Sequence, residues 1–264
     1  MKDRYSFDGK EHVHYLNGKP LHGTTTVLKV ISKPLTWWAS GLCAAEFGWL
    51  HHKKHDKVAR ARSASIMLGE FRKMKLQEYV AFLDKAYRAH DTYKESRADS
   101  GKDLHADVDA YVRYCITGKS KPRRLDPQLV PFAKWADRNV DRFLFSEVHC
   151  YSRVLRVGGI VDFAYKDKRG YLVLADNKSA PRAYFDNFAQ LGGYDLQIQE
   201  NGLFSASGKL LGKPEVTFSG HAIFNFGGGF TQPSISFEVT RNRRMFQAAL
   251  LLHKDRQSFD AEFP

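Results

Sequence analysis

Cysteine is scarce in this chain, and acid is short relative to base. Cys43, Cys115 and Cys150 are the only cysteines in 264 residues, odd in number and widely scattered. That excludes a disulfide framework and suits a reducing compartment such as the cytoplasm. With no Cys-x-x-Cys pair a zinc ribbon is excluded, and a four-thiolate iron–sulfur cluster lacks a ligand, so no such cluster is expected. Long apolar runs are missing too. The longest, such as Tyr171–Ala175 and Ala248–Leu252, fall far short of the roughly 18 residues a membrane span needs. Residues 1–10 are polar, so no secretory segment is expected there. Asp and Glu number 29 against 41 Lys and Arg, a formal net charge of +12. Such an excess serves either as a solubilising surface or to attract a polyanion, most often nucleic acid.

What is present is ample for a folded core: 43% of the residues are hydrophobic. Basic clusters occur at 51–57, 119–124 and 241–244. Weak alternation over His12–Leu16 and the turn Asn17-Gly18 predict a short N-terminal hairpin. From Thr24 to about Thr117 the periodicity is helical, with expected helices at 37–50, 75–93 and 102–116, followed by another at 127–143. The pattern then turns to short strands at 145–153, 159–165 and 171–176. A helix at 183–199, strands at 216–226 and 234–240, and a closing helix at 242–254 follow. The helix at 183–199 reads as a crossover between parallel strands. The expected fold is therefore α/β, a small mixed central sheet flanked by helices, with a helical N-terminal half. The expected division is a mainly helical part at 1–143, packed over the active site, and a core at 144–264, together one compact body.

The stretch 158–179, GGIVDFAYKDKRGYLVLADNKS, carries the chemistry. A turn at Asp167–Gly170 makes an antiparallel hairpin in which Asp162 faces Ala175 or Asp176. Directly opposed side chains lie about 5 Å apart at Cβ. Two carboxylates at that spacing beside apolar residues repel each other, and a divalent cation between them removes the repulsion. Oxygen ligands favour Mg²⁺ or Mn²⁺ over zinc. Lys178, two residues past Asp176, emerges on the same strand face, whereas Asn177 points the other way and offers its backbone carbonyl. Taken alone, Asp-x-Lys also describes a surface salt-bridge ladder. Gln190 and Tyr194 stand one helical turn apart. Gly192-Gly193 inside the same helix suggests close backbone approach to the sheet or the substrate. Trp37, Trp38 and Trp49 read as core, and His51, His52 and His55 as a solvated basic face.

Taken together, Gly159-Ile160-Val161-Asp162, then Asp176-Asn177-Lys178, then Gln190-Leu191-Gly192-Gly193-Tyr194 resemble the PD-(D/E)XK nuclease superfamily, in particular its RecB-type exonuclease branch with the Q-x-x-x-Y motif. Gly101-Lys102-Asp103-Leu104-His105 is similar to that branch's G-x-x-x-H helix start, and Thr24–Leu28 to its N-terminal entry segment. Val161 stands where the superfamily's eponymous proline does. The resemblance covers about residues 24–255 and implies a restriction-endonuclease-like core. It implies a metal held by His105, Asp162, Asp176 and the Asn177 carbonyl, with Lys178 as catalytic lysine. Glu147 would be a further acidic residue of the site. Gln190 and Tyr194 would meet the DNA backbone or brace the metal site. Arg241, Arg243 and Arg244 are the candidates for backbone phosphates. The implied function is a Mg²⁺- or Mn²⁺-dependent DNA exonuclease acting on single strands or duplex ends in recombination, repair or viral genome processing, away from membranes. An endonuclease on the same fold and a non-catalytic DNA-binding protein are the alternatives.

Overall fold

The hairpin turn at Asp167–Gly170 organises the centre of the molecule. The Asp167 carboxylate accepts from the backbone N–H of Arg169 at 3.0 Å and of Tyr171 at 2.9 Å. Gly170 takes φ +96°, which a side chain would disfavour. The strands it joins pair as expected, with Phe163 opposite Ala175 and Tyr165 opposite Val173. This comes from a computed structural model, which describes residues 3–32, 36–50, 55–119, 126–213 and 217–262, without the side chains of 36–38 and 94–103. Trp37 and Trp38 as side chains, His51, His52 and the basic stretch 120–124 lie outside the described residues.

In chain order the elements are β1 (Tyr5–Asp8), β2 (Val13–Leu16), β3 (Lys19–Pro20), β4 (His22–Gly23), α1 (Thr24–Val27), α2 (Thr36–Glu46), α3 (Lys57–Phe71), α4 (Leu76–Tyr87), α5 (Ala89–Thr117) and α6 (Val130–Asn139). There follow β5 (Val140–Ser152), β6 (Val157–Asp167), β7 (Leu172–Lys178), α7 (Phe185–Asn201), β8 (Leu203–Phe204), β9 (Leu210–Gly212), β10 (Gly220–Asn225), β11 (Ser234–Ser236) and α8 (Val239–Glu262). The chain divides into two compact units, residues 1–32 with 101–264, and residues 33–100.

The first unit is a mixed α/β structure. Its large sheet has the order β11-β10-β7-β6-β5-β8-β9, with β4 added alongside β6. β7 and β10 are parallel and α7 is the crossover between them, as the sequence predicts. Helices cover both faces. On one, Val108, Tyr111 and Val112 of α5 and Phe132 and Trp135 of α6 meet Phe163, Tyr165, Ala175 and Phe224. The fully buried rings Phe132 and Phe224 meet edge to face, 5.3 Å apart. Burial of each such ring is worth about 2–3 kcal/mol. On the other face, Leu191, Tyr194 and Ile198 of α7 pack on Val148, Cys150, Val161, Leu174 and Ile223. α8 lies outside α7, with Phe246, Ala249 and Leu250 packed against Ala189, Val27 and Leu28.

The paired glycines of α7 face α8, not the sheet or a substrate groove. A methyl group at Gly192 would sit 2.2 Å from the Asn242 carbonyl oxygen, and one at Gly193 would sit 2.6 Å from the Phe246 ring. Two helices can approach this closely only where one has no Cβ. Gly192→Ala is therefore expected to cost about 3 kcal/mol of unfolding free energy in a urea titration, the upper end for overpacking a core.

The second unit contains α2, α3, α4 and the start of α5. Phe71 and Phe82 pack at 4.8 Å, and Phe47 closes on Phe82 at 5.0 Å. Asp56 caps α3 by accepting from Ala59 N at 2.7 Å. Trp49, expected in a core, is 44% exposed.

Several boundaries differ from expectation. The segment at 127–143 leaves the helix at Asn139 and enters β5, because Val140 onward pairs with β6. α5 runs unbroken through Gly101, so the G-x-x-x-H segment lies inside a helix and does not start one.

Candidate active site

The carboxylates meet because two strand registers coincide. Beyond the pair Phe163–Ala175, the β6–β7 ladder places Asp162 across from Asp176. On the other side of β6, Ser146 pairs with Phe163 and Val148 with Val161, which sets Glu147 opposite Asp162. The alternation of faces breaks here. Phe145 and Val148 both pack toward α7, as do Ala164 and Val161 opposite them. The residue at the break is Glu147, whose φ is +47°. A left-handed backbone at a non-glycine residue costs about 1–2 kcal/mol, and here it accompanies the turning of a carboxylate toward the site.

Asp162 and Asp176 are buried, 8% and 2% exposed. Asp162 Oδ2 accepts the Asn177 backbone N–H at 2.6 Å and lies 3.4 Å from His105 Nδ1. His105, Glu147 and Asp162 each bring a ligand atom within 4.8 Å of the other two. Asp176 is engaged differently. Its Oδ2 lies 2.6 Å from Lys178 Nζ, and its Oδ1 accepts from Gln190 Nε2 at 3.1 Å. Gln190 Oε1 accepts from Lys178 Nζ at 3.0 Å, while its Nε2 also reaches Tyr194 OH at 2.9 Å. Lys178 can only donate, so the amide oxygen must face it, which fixes the amide's orientation.

The electrostatics follow from this crowding. Burial, then Asp176 and Glu147, push the Asp162 carboxyl well above the ordinary range, against the opposing pull of Lys178. Burial and neighbouring Asp109 push Glu147 up to about 7. For His105, burial favours the neutral ring, although Asp176 and a hydrogen bond to the Asn177 backbone work the other way. Burial would lower the Lys178 ammonium, but Asp176 and Asp162 outweigh it and hold its pKa above the ordinary value. Lysine 178 is thus a fixed charge, and the acids beside it exceed what one ammonium offsets. One neutral imidazole and two carboxylates with convergent lone pairs fit a hard divalent cation.

The sign of one pH effect can be worked out from Glu147. Folded, it keeps its proton up to about 7, whereas an unfolded glutamate releases it near 4.5. Between those values the folded state binds the extra proton, so raising the pH costs the fold stability. In metal-free buffer, Glu147→Gln should gain on the wild type as pH rises from 4.5 to 7, read by chemical denaturation at several pH values.

The other expected site residues are placed as follows. Gln190 and Tyr194 are buried and their hydrogen bonds run inward, so of their two expected roles the geometry supports bracing. Gly159 permits it: a Cβ there would lie 2.3 Å from the Tyr194 ring. Arg243 is committed to fully buried Asp195, with Nε at 2.8 Å and Nη2 at 3.0 Å, and Asp195 also meets His221 at 3.2 Å. It locks α8 to α7 and is not a free phosphate contact. Arg241 and Arg244 are exposed. Asp109 was not singled out from the sequence, although it lies one helical turn after His105 and so on the same helix face.

No protein-family model matches the chain, and no curated protein matches it.

Proposed function

We propose that the chain is a metal-dependent deoxyribonuclease, an exonuclease of the PD-(D/E)XK kind, hydrolysing phosphodiester bonds in recombination, repair or viral DNA processing. The observation that carries this reading is Lys178. Its ammonium is held between Asp176 and Gln190, beside a cluster of three convergent ligands, at the strand end. His105, Glu147 and Asp162 would hold Mg²⁺ or Mn²⁺, with Asp176 and the Asn177 carbonyl at its edge. Held by these residues, such a cation would supply Lewis-acid chemistry, polarising a phosphoryl oxygen and activating water. Lys178 donates to a non-bridging phosphate oxygen as charge builds on it, and Gln190 keeps the ammonium aimed. Tyr194, whose hydroxyl burial holds protonated, braces Gln190.

Charge supports DNA as the partner, since a net +12 favours a polyanion. Exposed Arg241 and Arg244 are the phosphate contacts of choice. No helix among the described residues is long and apolar enough to cross a membrane. The free thiols suit a reducing cytoplasm, that of a bacterium or a virus-infected bacterial cell.

The test offers linear and covalently closed circular single-stranded DNA with Mg²⁺, Mn²⁺ or a chelator. Metal-dependent release of nucleotides from the linear strand alone is expected. Equal degradation of the circle would replace the exonuclease by an endonuclease. Binding without release under either metal would leave a non-catalytic DNA-binding protein.

A further inference from the structure

Two different elements bring His105 and Glu147 to the site, and a hydrogen bond links those elements beside both residues. Asp109 stands one turn after His105 on α5, about 6 Å along the helix axis. Ser146 immediately precedes Glu147 on β5. Ser146 Oγ donates to Asp109 Oδ1 at 2.6 Å. Arg113, one further turn along α5, donates its Nε to both Asp109 oxygens at 2.6 and 2.8 Å.

We propose that Asp109, acting through Ser146, is a positioning residue that sets the gap between His105 and Glu147 and so fixes how tightly the site holds a divalent cation. The proposal rests on the reading of His105, Glu147 and Asp162 as a metal centre. Two observations support it. First, both Asp109 oxygens are already engaged by Ser146 and Arg113, so its influence passes through its partners and not through ligation. Second, away from His105 the core contacts of α5 with the sheet run through apolar Val108, Tyr111 and Val112. Apolar packing of that kind is non-directional and does not fix a helix along its axis. A directional bond does, and ligand distances in metal sites fall within about 0.2 Å of their standard values.

The experiment is calorimetric titration of the full chain with Mn²⁺. Cutting the link from either side, by Ser146→Ala or by Asp109→Ala, should weaken Mn²⁺ about 10- to 100-fold, the usual effect of losing an outer partner of a metal ligand. Because both variants break the same Ser146–Asp109 bond, the double variant should bind within about threefold of either single one. Ser146→Thr keeps the hydroxyl and Asp109→Asn keeps an acceptor for it. Both should stay within about threefold of the wild type, even though the second loses the ion pair to Arg113. A purely structural role would lower the melting temperature of the metal-free protein and leave Mn²⁺ affinity alone, which would overturn the proposal. So would additive losses in the double variant, or a loss in Asp109→Asn equal to that in Ser146→Ala. Absence of Mn²⁺ binding by the wild type would instead overturn the metal-centre reading beneath it.

Discussion

Lys178→Ala is expected to lower single-turnover cleavage by about two to three orders of magnitude, as loss of one preorganised donor to a developing oxyanion does. DNA affinity should change by no more than about threefold, because affinity comes mainly from phosphate contacts spread over the surface. The lysine is 24% exposed and lies 2.6 Å from Asp176. It is therefore near solvent, where a phosphate can reach it, and its charge does not depend on neutral-range pH. The same substitution strips Asp176 of its ion pair while that carboxylate is 2% exposed. Breaking one side of a buried pair costs about 3–5 kcal/mol, so the variant should also melt earlier. The two effects separate by temperature: assayed well below its melting point, the variant should still be inactive. Near wild-type turnover there would show that the site has been placed wrongly.

Loss of either aspartate should be as severe, but with opposite consequences for the metal-free protein. Asp162→Asn and Asp176→Asn are each expected to lose Mn²⁺ binding by more than about 100-fold, together with cleavage. Asp162 is the acid pushed up by burial, Asp176 and Glu147, so making it neutral relieves repulsion and should raise metal-free stability at neutral pH and above. Asp176 is the acid that neutralises Lys178, so Asp176→Asn strands an ammonium and should lower it. Calorimetry for the metal and urea titration for stability read both. Unchanged Mn²⁺ binding in the two variants would refute a shared centre.

The part of this site that local chemistry determines is the part readable from the sequence. The hairpin register follows from the Asp167–Gly170 turn, and with it the opposition of Asp162 to Asp176. The period of two in a strand puts Lys178 beside Asp176, and the turn of a helix puts Tyr194 beside Gln190. What was not readable depends on partners distant in sequence. Glu147 lies opposite Asp162 only because β5 turns over in a left-handed residue, and nothing in Ser146-Glu147-Val148 announces that. The two-residue strand β8 pairs β5 through Phe204 and is too short to carry a pattern. α3, with no buried residue, has no apolar stripe to find. The Gly192-Gly193 pair announced a close approach, but which surface approached was decided by α8, some fifty residues away.

The position of Gln190 has an evolutionary consequence. One amide meets Lys178, Asp176 and Tyr194 at once, so these four residues form one connected circuit, in which Gln190, Lys178 and Asp176 close a ring and Tyr194 joins through Gln190. Substitutions within such a circuit do not sum: the first loss strands buried polar groups, and later ones remove groups already without function. Gradual erosion of this site is therefore steepest at its first step. A descendant that abandoned the chemistry would gain by replacing all four with apolar residues, while a descendant with only one of them changed would sit in a valley.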